Sequence, residues 1–133
     1  MNAPTQLTRE NSAITFAENT ILTGTFVCHK PGSPDIVIYE PGIYLISFNG
    51  TLALGPGTNS PGTILISLRQ NGVAKTGGQI TDTLTLTRTP TTGSFTLPIQ
   101  VSATPTTLQM VASAEGFLIS NASLSVLKIG KNI

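Results

Sequence analysis

Cys28 and His29 are the single cysteine and single histidine of a 133-residue chain, and they stand side by side. To act as nucleophile and base the two would have to meet, but neighbouring side chains on a strand point to opposite faces. The expected arrangement is a small buried thiol beside an exposed imidazole. The remaining acids are Asp35, Asp82 and four glutamates spread along the chain. That supply is too thin for a convergent acid–base set, so the chain is expected not to be an enzyme. No Cys or His pair has ligand spacing, so one chain cannot build a metal site and no cofactor is expected. Around a three-fold axis, however, His29, Asp35 or Asp82 would appear three times and could form an axial site.

Two further patterns carry weaker signals. Asn49-Gly50-Thr51 and Asn121-Ala122-Ser123 fit the N-glycosylation pattern, which arises easily by chance in a chain this rich in Thr and Ser. Gly77-Gly78 lacks the strand-loop-helix context of a phosphate cradle and reads as a turn.

The surroundings of these residues are set by composition. At 13.9 kDa the chain is one domain long and can bury a core without disulfides. Charged residues make up 10% and the net charge is +1, so there is no basic field to attract phosphates and nucleic acid is not an expected partner. Solubility must come from Thr, Ser and Asn side chains, a balance suited to particle-surface proteins. A lone cysteine forms no intrachain disulfide and leaves the compartment open. No charged n-region followed by an apolar run opens this sequence, and its apolar stretches fall far below the ~20 residues a membrane helix needs. Neither a cleavable signal peptide nor a membrane span is expected.

Hydrophobic residues recur with period two, and no window sustains helical spacing, so the elements that position these side chains are strands. Residues 1–11 are polar and read as a loose tail, with one domain over 12–133. Ala13–Phe16 and Ile21–Val27 are short candidate strands, Lys30–Pro34 a turn, and Asp35–Tyr39 the next strand. The longest segment, Ile43–Leu54, places Tyr44, Ile46, Phe48, Leu52 and Leu54 on one face and Ile43, Leu45, Ser47 and Asn49 on the other. Both faces begin apolar, which implies that a further layer or subunit covers the second.

Gly55–Gly62 reads as an exposed loop, Thr63–Arg69 as a strand, and Asn71-Gly72 as a type I′ hairpin turn returning through Val73–Lys75. Gln79–Arg88 alternates Ile80, Leu84 and Leu86 against a threonine face, and Thr89–Gly93 ends it. Phe95, Leu97, Ile99 and Val101 line another strand, which Pro98 on the opposite face marks as an edge strand or a bulged one. Leu108, Met110 and Ala112 form an inward set, and Glu115-Gly116 turns. Ala122–Ile129 closes the chain, with Leu124 and Val126 on one face and Leu127 and Ile129 on the other. Short strands at this spacing specify an antiparallel sandwich or barrel, and no fixed-period repeat points to a solenoid or propeller.

Pro41-Gly42-Ile43-Tyr44-Leu45-Ile46-Ser47-Phe48 resembles the Gly-x-Tyr strand of the complement C1q and tumour necrosis factor-like superfamily. Leu68–Val73 and Ala122–Ile129 are similar to its bacterial branch, which includes the C-terminal heads of collagen-like exosporium glycoproteins of spores; related heads occur in phage-encoded fibres. The resemblance spans roughly Ile14 to Ile129 and implies an all-β, antiparallel jelly-roll sandwich of about ten strands that forms a homotrimer. It would make Ile43, Leu45, Ser47, Leu127 and Ile129 inter-subunit contacts and Tyr44, Ile46, Phe48, Leu124 and Val126 core. The exosporium proteins carry a Gly-x-y stalk before the head, and no such repeat precedes Ile14 here.

The expectation is therefore a non-enzymatic head at a spore or particle surface, with itself as principal partner and surface glycans or coat proteins as possible others. The alternative is a phage or bacterial fibre or lectin head that binds a carbohydrate or receptor through the Gly55–Gly62 loop or grooves between subunits. The absence of Trp and the presence of only two Tyr count against that alternative.

Overall fold

The computed structural model describes residues 1–17, 26–56, 61–85 and 90–131. The described residues form no helix, so none that could cross a membrane; they form ten strands in antiparallel sheets. In chain order these are β1 (Gln6–Leu7), β2 (Ser12–Ala13), β3 (Val27–Cys28), β4 (Ile36–Ile38), β5 (Gly42–Leu54), β6 (Gly62–Gln70), β7 (Val73–Leu84), β8 (Thr91–Val101), β9 (Thr106–Ala112) and β10 (Phe117–Gly130). One sheet runs β1-β10-β5-β8. The other runs β3-β4-β9-β6-β7, with β2 also paired to β9.

The inner faces meet in one core. Tyr44, Ile46, Phe48, Leu52, Ile99, Ile119 and Leu124 come from the first sheet, and Ile36, Ile38, Ile64, Ile66, Leu68, Leu108 and Met110 from the second. Alternation on β5 is strict from Gly42 to Leu54, which is why its buried face can be read from the sequence. Of the five residues expected in the core, Tyr44, Ile46, Phe48 and Leu124 are buried, and Val126 is half-buried at its margin. Asn71 and Gly72 take positive φ angles of 50° and 83° and close the β6–β7 hairpin as the sequence requires. Asn71 is also tied to β9: its N–H donates to Thr107 O at 2.8 Å and its Oδ1 accepts from Thr107 N–H at 2.9 Å.

Several boundaries differ from the sequence expectation. Gly77-Gly78 is not a turn: β7 runs through it, bulged between the partners of Ser67 and Arg69, and a Cβ at Gly78 would lie 3.1 Å from Leu68 Cβ. Thr91–Gly93 belongs to β8, because Gly93 pairs with Gly50 and its backbone lies against Ile80. The last strand begins at Phe117 rather than Ala122. Asn121, at φ 50°, sits in a bulge between Ser120 and Ser123, so Phe117 and Ile119 face inward on one parity and Ala122 and Leu124 on the other. Of the expected strand Ile21–Val27, residues 21–25 lie outside the described residues. So do residues 57–60 of the Gly55–Gly62 loop and residues 86–89, including Leu86.

The opening segment, expected as a loose tail, lies along β10 in this structure. The Met1 ammonium donates to Leu124 O at 2.7 Å, Leu124 N–H donates to Met1 O at 2.8 Å, and Ala3 N–H to Ala122 O at 2.9 Å. Gln6 and Leu7 then pair with Ile119 and Leu118, and Thr8 Oγ1 accepts from Phe117 N–H at 3.0 Å. The segment thereby supplies hydrogen-bond partners to an edge of β10 that would otherwise be open. Beyond it, Ile14 and Phe16 turn into the core.

Candidate interaction face

Cys28 and His29 lie on opposite sides of β3 and its extension, as alternation demands, but with the burial reversed. The thiol is exposed and the imidazole is 6% exposed. Val27 points into the core, so the residue two positions on does too, and His29 fills that place edge-on to Phe16 with centroids 6.2 Å apart. Its Nε2 lies 2.9 Å from Ser33 O. The expectation of a buried thiol beside an exposed imidazole is thus corrected.

Among the described residues no three or more His, Cys, Asp or Glu side chains gather as a metal group would require. His29, Asp35 and Asp82 all belong to or adjoin the six-stranded sheet, where Asp82 accepts a hydrogen bond from the Thr91 hydroxyl.

The five residues expected at a subunit contact all lie on the outer side of the β1-β10-β5-β8 sheet. Leu127 pairs with Leu45, which pairs with Pro98; next come Ser125, Ser47 and Thr96, then Ser123, Asn49 and Ser94, then Ser120, Thr51 and Thr92. Ile43 and Ile129 close one end, and Leu7, Leu118 and Ala53 close the other. The face therefore has apolar ends and a hydroxyl- and amide-bearing middle, where Ser47 Oγ and Thr96 Oγ1 are 3.4 Å apart. Leu127 and Ile129 are 60% and 53% exposed, while Ile43, Leu45 and Ser47 are half-buried.

Of all residues in these four strands, Lys128 alone is charged. It is in register with Tyr44, so it projects to the inner side, and a Cβ built on Gly42 would lie 2.7 Å from its Cε. Its ammonium leaves at the end of the sandwich to pair with Glu40 and lies 5.5 Å from the Phe26 ring centroid. Glu40 O in turn accepts from Tyr44 Oη at 2.7 Å. Burial pushes the Tyr44 hydroxyl above its ordinary value, with Lys128 opposing the shift and Glu40 adding to it.

The outer face of one whole sheet thus presents no charge to solvent. The centres of protein interfaces are the places where charged residues are depleted. Sequence reasoning located the apolar positions, but not the charge-free breadth of the face, since that depends on which strands become neighbours. No protein-family model matches the chain, and no curated protein matches it.

Proposed function

We propose that this chain is a non-enzymatic, homotrimeric head of the C1q and tumour necrosis factor-like jelly-roll type, which covers and displays the surface of a spore or other particle. The observation that carries the reading is the uncharged outer face of the β1-β10-β5-β8 sheet, with Ile43, Leu45, Leu127 and Ile129 on it. A copy of the same chain suits it: with a three-fold axis running along the strands, rotation keeps each row at its own height, so apolar end meets apolar end and hydroxyl row meets hydroxyl row with no charge left unpaired.

The jelly-roll topology is supported by the path of the chain. From β4 onward every connection except the β6–β7 hairpin passes from one sheet to the other. Strands remote in sequence, such as β5 and β10, therefore become neighbours, as a jelly roll requires. Surface glycans or other coat proteins remain the outward partners of this reading.

Sedimentation equilibrium at micromolar concentration is the test. The expected mass is that of three 13.9 kDa chains; a monomer mass would end the proposal.

A further inference from the structure

The molecule's second outer face differs in character. Asp35, Val37 and Tyr39 occupy alternate positions along β4 and its flanks, and with Cys28, Lys30 and Ser33 they line a depression of about 520 Å³. It is a shallow depression, open to solvent on one side. Its base is firmly built. Val37 is paired with Cys28 on one side and Thr107 on the other, and His29 beneath is buried against Phe16.

One flank is polar and pre-arranged. The Gln109 side-chain amide donates to Asp35 Oδ1, and Asp35 N–H donates to Ser33 Oγ at 3.1 Å. The second carboxylate oxygen has no partner among the described residues. Across the sheet from Gln109 stands Arg69, whose Nε is buried without a hydrogen-bond partner among the described residues. The other flank is Tyr39, an aromatic side chain left 53% exposed.

An exposed aromatic, a fixed carboxylate and an ammonium around a partly apolar floor match the chemistry of a sugar ring. The C–H face of a pyranose covers the aromatic, neighbouring hydroxyls donate to the carboxylate, and an ammonium donates to a hydroxyl or ring oxygen. Asp35 supplies the one carboxylate of the depression and Lys30 its one ammonium, so hydroxyls find both an acceptor and a donor there. We infer that this depression binds a saccharide, stacked on Tyr39 and held by hydroxyls on Asp35. The site lies on the sheet opposite the uncharged face, so the inference stands whether or not the chain self-associates.

The test is saturation-transfer NMR on the full chain with the methyl glycosides of glucose, galactose, mannose, rhamnose and N-acetylglucosamine. Transfer into the ring protons of at least one is expected. Tyr39→Ala and Asp35→Asn should each weaken that binding at least about tenfold, while Thr81→Ala on β7 leaves it unchanged. Circular dichroism establishes that both variants fold, as the exposure of Tyr39 and the near-isosteric change at Asp35 lead one to expect. Transfer to none of these glycosides, or parent-like affinity in either Tyr39→Ala or Asp35→Asn, overturns the inference.

Discussion

Leu45 and Leu127 stand directly opposite one another on β5 and β10, on the side of the sheet turned away from the core. Two leucines at a cross-strand position stabilise a sheet modestly by their mutual contact, but here both also present surface to solvent. Their place among uncharged neighbours makes them the most sensitive probe of whether the face is covered.

If the proposed trimer forms through this face, Leu127→Asp should give a monomer in sedimentation equilibrium, because a carboxylate facing its own symmetry mates cannot be buried unpaired. The monomer should keep its strand signature in circular dichroism, since Leu127 is 60% exposed in the single chain. Thr81→Asp, on the outer side of β7, should leave the mass unchanged. Equal masses for all three proteins would remove the face from consideration.

Phe48 and Phe95 are cross-strand partners whose rings stack at 5.9 Å with planes 29° apart. Phe48→Ala should cost ~3–5 kcal/mol in urea unfolding, from lost burial plus the cavity left behind. Phe95→Ala should cost less, because Phe95 is only half-buried.

At Gly93 an added Cβ would come within 2.4 Å of Ile80 Cγ2, where β8 passes the edge of the other sheet. Gly93→Ala should therefore destabilise by ~1–3 kcal/mol through overpacking, despite the better strand propensity of alanine. Gly72→Ala has open space around its Cβ but a φ of 83°, so its cost should come from backbone strain alone. Urea midpoints that match the parent in Gly93→Ala would show that the two sheets part there more readily than their packing implies.

Tyr44 gives the fold an alkaline limit. Its hydroxyl ionises less readily in the folded state, so in the window above the ordinary value of 10.0 the unfolded chain has lost a proton that the folded chain retains. Stability should be level below about pH 10 and fall as pH rises through the raised value. Tyr44→Phe should flatten that fall while costing about 1 kcal/mol at neutral pH for the lost bond to Glu40 O. The measurement is urea unfolding from pH 8 to 11, and equal slopes for both proteins would exclude Tyr44 as the cause.

The sequence alone carried the inner faces. On β5 and β8 the alternation of Tyr44, Ile46 and Phe48, and of Phe95, Leu97 and Ile99, is unbroken, and a local pattern suffices to say which side is buried. The Asn71-Gly72 turn was equally legible, because the conformation depends on those two residues alone. Where a bulge reverses parity, as at Asn121, the same reasoning began the last strand five residues late. Alternation puts Cys28 and His29 on opposite sides, but which of the two faces the core is not legible locally in a two-residue strand.

What only the tertiary structure decided is which strands lie together. The docking of Met1–Thr8 along β10 rests on backbone hydrogen bonds that polar side chains neither announce nor prevent. The uncharged face exists because β10 lies between β1 and β5, and because Lys128 is turned to the inner side toward Glu40. The Asp35 carboxylate is held at the depression because β9 brings Gln109 beside β4. Alternation is a property of one segment and can be read along it, whereas neighbours across a sheet are set by long-range pairing, in which each strand's register answers to residues dozens of positions away.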